Sequence, residues 1–241
     1  MGTTANSIVE QLKQRRSKDR SDVAKKRLVP IDVVLGVSTR DIRILAKEVG
    51  KDRDLAEALW SKPYMEAKAL AILLLPLKAI DESLIMSWVS DIDDWSTCDL
   101  FAKSVMAKRV DAVDWGVKWA ASSELYTKRA GLALIANFCM RATAFDDDTS
   151  SAIRSTIEHT ATDERDHVRQ ASCWALREFG KSNAESHEQA CILALEFIDS
   201  EDSPKVWVGR CAYRELEDLI KVPERRRLIS RKSKTGLKYS D

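Results

Sequence analysis

YTKRAGLALIANF (residues 126–138), HVRQASCWALREF (167–179) and VWVGRCAYRELED (206–218) can be aligned so that matched positions fall 41 residues apart. In that register Ala130, Ala171 and Ala212 coincide, as do Leu134, Ala175 and Leu216. A basic side chain also recurs at one point, as Lys128, Arg169 and Arg210. Apolar residues follow helical spacing in each stretch. Each stretch also follows another candidate helix, over residues 113–122, 150–160 and 185–198. A small residue at the matched point lets neighbouring helices approach closely. The expectation is a set of helix pairs, each burying its apolar face on the next.

A helix-pair repeat of roughly 40–47 residues is the length of HEAT and armadillo units. Composition agrees with an all-α chain: glycine and proline together number 13 among 241 residues, too few for a turn-rich β architecture. An apolar fraction of 44% is enough for a core. The first half also reads as helices. Ser38 or Thr39 caps one through DIRILAKEVG, stopped by Gly50. Leu35-Gly36-Val37 precedes it as a connector, and residues 54–60, 64–75 and 83–89 follow as helices. One solenoid domain is expected over residues 1–220, with a basic C-terminal tail over 221–241.

Several classes fall away. The longest apolar run, residues 69–77, is far short of the ~20 residues of a membrane helix, so no membrane span is expected. MGTTANSIVEQLKQRR (1–16) has charges where a secretory signal needs apolar residues. Cys98, Cys139, Cys173, Cys191 and Cys211 sit inside helical patterns and are expected as reduced, buried thiols of a cytoplasmic protein. His159, His167 and His187 show no zinc-site spacing, so no metal is expected.

A net charge of +1 hides two basic ends. Residues 13–27 and 221–241 each carry a net +6, leaving −10 over residues 28–220. Clusters of this kind touch nucleic acid or other anionic surfaces, or remain solvated. Lys128, Arg129, Arg169 and Arg210 recur in the repeats, and Lys103, Arg177 and Lys181 follow at helical spacing. Equivalent positions of a solenoid share one surface, so these residues are candidates for a basic stripe facing a polyanion.

Two segments could carry chemistry. In DDWSTCDLF (93–101), Trp95 and Asp99 are four apart and share a helix face. An indole beside a carboxylate can hold a cationic group; the plainer reading is a capped helix with a core Trp and a solvated Asp. In TDERDHVRQASCWALREFGKSN (162–183), Trp174 stands where the other repeats have Ala133 and Glu215. It is either core filling or a ligand wall.

GVSTRDIRILAKEVGKD (36–52), Leu59-Trp60, DDWSTCD, KRAGLAL (128–134) and the 162–183 segment, in that order, resemble the DNA alkylation repair family of AlkD-like DNA glycosylases. The resemblance spans roughly residues 33–220. It implies an all-α, right-handed superhelical solenoid of HEAT-like pairs with a concave DNA-binding face. It further implies excision of purines alkylated at N3 or N7 from duplex DNA, with no cofactor, by a monomer associated with the nucleoid. The family's catalytic Asp falls on Asp99 and its partner Trp on Trp95. The second cleft Trp falls on Trp174, and the cleft Arg, expected on a phosphate, on Arg129. The family's N-terminal aromatic contact has no clear counterpart, since AKKRLVPID (24–32) places Arg27 near it. The competing readings are a non-catalytic HEAT scaffold for DNA or protein, and an RNA binder.

Overall fold

The computed structural model describes residues 4–17 and 33–239. The Arg27 stretch and most of the 13–27 basic cluster therefore lie outside the described residues. Where one domain was expected over 1–220, the chain divides into two compact units, Met1–Trp88 and Val89–Asp241. The helices of the first unit gather on one apolar helix, while those of the second stack pair on pair.

In the first unit that helix is α4 (Met65–Leu74), on which α2 (Thr39–Val49) and α3 (Arg53–Trp60) pack, with α1 (Ala5–Gln14) against α3 and α4. Side chains cap three of these starts. Thr4 and Ser7 form a capping box on α1, the Ser38 hydroxyl accepts from Asp41 N–H, and Asp52 accepts from Leu55 N–H. Each such cap contributes about 1 kcal/mol. Leu45, Leu59, Leu70 and Leu74 are buried in this core, and Trp60 stacks on Trp88 at 4.1 Å. The connector Leu35-Gly36-Val37 is held by one buried carboxylate. Glu66 accepts the N–H groups of Leu35, Gly36 and Val37 at 2.9, 2.6 and 3.2 Å. Gly36 takes φ +82°, a region that a side chain would make costly. α5 (Glu82–Ser90) carries the chain across the division.

The second unit is two layers of helices. α6 (Trp95–Ser104), α8 (Leu125–Arg141), α10 (Asp166–Gly180) and α12 (Ser203–Leu216) pack in succession as one layer. α7 (Ala112–Ala120), α9 (Asp147–Thr160) and α11 (Ala184–Ile198) form the other. The three aligned stretches are thus the second helices of consecutive pairs. Ala130, Ala171 and Ala212, with Leu134, Ala175 and Leu216, are all buried between the layers. This is a HEAT-like arrangement.

Residues 221–239 are not a tail. β1 (Leu219–Ile220) pairs antiparallel with β2 (Ile229–Ser230), with Leu219 opposite Ser230 and Ile220 opposite Ile229. Between the strands Val222 and Leu228 are buried. Arg227 donates to the Glu178 carboxylate at 2.7 Å, and Leu228 N–H donates to the Lys181 carbonyl at 2.9 Å. The charge count hid this, because two apolar side chains and one buried carboxylate on α10 anchor the segment.

Backbones of α7 and α8 come closest at Gly131, two residues beyond Arg129. A Cβ there would lie 2.4 Å from Ala120 N and 2.5 Å from Gly116 O. Gly131→Ala must therefore force α8 away from α7. We expect a stability loss of about 3 kcal/mol, read as a lowered urea midpoint; an unchanged midpoint would show that the helices part freely.

Candidate functional site

The site begins at a helix cap. Asp94 Oδ1 accepts from Ser96 N–H at 2.8 Å and Thr97 N–H at 2.9 Å, starting α6 at Trp95. Cys98, Phe101 and Ala102 turn into the core, and this faces Asp99 toward α8. Arg129, on the second turn of α8, donates from Nη2 to both Asp99 oxygens at 2.9 and 3.0 Å and from Nε at 3.2 Å. Its Nη1 donates to the His167 carbonyl at 2.8 Å, at the start of α10. One guanidinium thus joins three helices of a layer.

Asp99 keeps an exposed edge: its side chain is 25% accessible, against 7% for Arg129. That edge lines an open cleft of about 390 Å³. Arg129, Trp174, Arg177 and Trp207 line the same cleft, with Gln170, Cys173 and Cys211. Burial pushes the Asp99 carboxyl above its ordinary value, while Arg129, and more weakly His167, hold it down. The cleft therefore presents a carboxylate with a fixed direction and one accessible side.

The expected residues are distributed unevenly around it. Asp99, Arg129 and Trp174 come together. Trp95 stands one helical turn from Asp99, 42% exposed and outside the cleft lining, so it is neither core nor cleft wall. Arg129 is buried with its donors on protein acceptors, which makes it a support for Asp99 instead of a phosphate contact. The remaining basic residues do not form an open positive stripe. Lys128 pairs with Asp163 at 3.1 Å, Arg169 with Asp166, and Arg177 with Glu215 at 2.9 Å. Lys181 reaches Glu178 at 3.1 Å and also Glu215. Carboxylates from the same and neighbouring helices neutralise them, a pairing that the single-strand spacing of basic residues did not reveal. Lys103 and Arg210 are exposed.

Trp207 was missed. At the 41-residue offset it falls on Asp166 and Leu125, so the repeat gave no aromatic counterpart, and it lies three residues before Arg210. On the structure it is 37% exposed in the cleft wall, with the Arg169 guanidinium 4.5 Å over its ring. The cysteines are also less uniform than expected, because Cys191 and Cys211 are only half-buried. Among the described residues, no three His, Cys, Asp or Glu side chains gather as a metal site, and no helix is long and apolar enough to cross a membrane.

A family model described as DNA alkylation repair enzyme matches residues 8–215. The chain belongs to the DNA alkylation repair enzyme family. Solved structures agree on the fold. One, described as a new family of proteins related to the HEAT-like repeat DNA glycosylases with affinity for branched DNA structures, has a TM-score of 0.71 at 20% identity, covering 80% of this chain and 83% of that one. Another, smu.31 from Streptococcus mutans UA159, has a TM-score of 0.56 at 18% identity, covering 87% of this chain and 98% of that one. A search of curated proteins finds no match. At these identities the structures establish the HEAT-like fold of this DNA alkylation repair family member and leave its chemistry to its own residues.

The ion pair gives a direct test. Arg129 lowers a carboxyl pKa that burial raises, so Arg129→Met should move the Asp99 titration to still higher pH. Carboxyl-carbon NMR should place wild-type Asp99 above the ordinary ~3.9 and the variant above wild type. A downward shift in the variant would contradict the pairing.

Proposed function

We propose that the chain is a DNA glycosylase that hydrolyses the N-glycosidic bond of purines alkylated at N3 or N7 in duplex DNA. The observation that carries this is the Asp99 carboxylate, held by Arg129 and presented to a tryptophan-walled cleft. Membership of the DNA alkylation repair enzyme family supports the choice of alkylated DNA as substrate.

The chemistry asks little of the protein. Alkylation at N3 or N7 leaves a positive charge on the base, which departs neutral without a protein acid. The deoxyribose left behind is oxocarbenium-like, and water completes the reaction at C1′. A preorganised anion near C1′ stabilises that developing charge. Asp99 supplies it, and its exposed edge is also placed to orient the water. Arg129 is a positioning residue: it fixes both carboxylate oxygens and opposes the upward push of burial on the carboxyl. Trp174 offers an electron-rich face to the same cation, while Trp95 stands on the helix surface one turn from Asp99. Such a site selects lesions by their charge and needs no pocket that encloses the base.

A second reading also has an observation behind it. Lys128, Arg169, Arg177 and Lys181 are all ion-paired, Arg177 within the cleft wall itself, so pairing screens much of the positive charge that a strong duplex grip uses. One structural relative is described by affinity for branched DNA. A DNA-binding protein without turnover is the reading that this relative suggests, and the pairing of those basic residues would weaken its grip on a plain duplex.

Incubation with methylated duplex DNA separates the readings. The glycosylase releases free 3-methyladenine and 7-methylguanine, and Asp99→Asn lowers that rate by about a hundredfold or more while DNA binding persists. Equal release by wild type and variant would remove Asp99 from the chemistry. No release by wild type, with retained binding of a four-way junction, would establish the second reading.

A further inference from the structure

Two of the five cysteines meet in the cleft wall. Cys173 lies in the middle of α10 and Cys211 in α12, 38 residues apart in sequence. The Cys173 thiol donates to Cys211 Sγ at 2.7 Å, and both residues line the cleft. Cys173 is 1% exposed, while Cys211 is half-buried and the more accessible of the two.

The surroundings distinguish the two sulfurs. The hydrogen bond from Cys173 pushes the Cys211 thiol down to about 6; Arg177 and Arg214 help, and burial and Glu215 oppose. The same bond, with burial, pushes Cys173 up. The accessible sulfur is therefore the one that gives up its proton more readily. The other three cysteines differ. Cys98 and Cys139 are fully buried with thiols pushed up by burial. Cys191, half-buried beside His187, is pushed up as well.

We propose that Cys173 and Cys211 form a dithiol modification site, with Cys211 the attacking and Cys173 the resolving sulfur, whose substrate class is the hydroperoxides. The Cys211 thiolate attacks a peroxide oxygen: an S–O bond forms, the O–O bond breaks, and hydroxide or alkoxide leaves. Cys211 is then a sulfenic acid, oxidised by two electrons. Cys173 loses its proton and attacks the sulfenic sulfur. The S–S bond forms, the S–O bond breaks, and the departing hydroxide takes up that proton as water. In sum, two thiols and one hydroperoxide give a disulfide, one alcohol or water, and one water.

The product joins α10 to α12 beside Trp174. It also removes the thiolate that stands next to Arg177, making the cleft wall more positive. The proposal is independent of whether the cleft hydrolyses DNA.

Peptide mapping of the full, reduced chain after treatment with one equivalent of hydrogen peroxide tests it. The expected result is a Cys173–Cys211 disulfide, with Cys98, Cys139 and Cys191 left as thiols. In Cys173→Ser, dimedone should label Cys211 as a trapped sulfenic acid; in Cys211→Ser, Cys173 should stay unlabelled. A second measurement needs no variant. Alkylation of Cys211 by iodoacetamide should rise with pH and level off by about pH 7, while that of Cys191 keeps climbing beyond about pH 9. Absence of the cross-linked peptide, dimedone labelling of Cys191 equal to that of Cys211, or parallel pH profiles would each overturn the proposal.

Discussion

Arg129 offers five N–H donors in a rigid plane, and the second unit is arranged around that plane. A guanidinium at 6% exposure is tolerable only when paired and hydrogen-bonded, because desolvating a charge costs several kcal/mol. Asp99 from α6 and the His167 carbonyl from α10 meet that need together. The constraint runs both ways. Asp99 is pushed toward its neutral form by burial, and the guanidinium counters this. The result is a carboxylate with one face locked to protein and one face left toward the cleft, as an electrostatic catalyst requires.

Close packing makes that placement possible. Gly131 lets α8 lie against α7, and two residues before it Arg129 reaches α6 and α10 within its own layer. Ala130, Ala171 and Ala212 keep successive pairs at similar separations. A HEAT-like stack therefore acts as a ruler: side chains from α6, α8, α10 and α12 reach one cleft at fixed intervals. In the same layer, Lys128, Arg169, Arg177 and Lys181 each pair with a carboxylate. These pairs stiffen the surface and cancel its charge, while residues 221–239 carry the local positive excess on a hairpin fastened through Arg227 and Glu178.

Chain order alone revealed the repeat, since helical periodicity and a constant 41-residue offset are properties of one strand. The Asp94 cap and the shared face of Trp95 and Asp99 were legible for the same reason: they depend on residues two to four apart. So were the connector at Leu35-Gly36-Val37 and the helix stop at Gly50. The likeness to DNA alkylation repair proteins came from ordered motifs along that strand.

Tertiary structure decided which partner each charge takes. Arg129 faces Asp99 across 30 residues, Arg177 faces Glu215 across 38, and Glu66 closes the connector from about 30 away. It also brought Trp207 to the cleft, moved Trp95 out of it, set Cys173 against Cys211, and folded back a segment whose composition read as a tail. Long-range pairing depends on how helices rotate and stack, and a linear pattern of charges carries no record of that rotation.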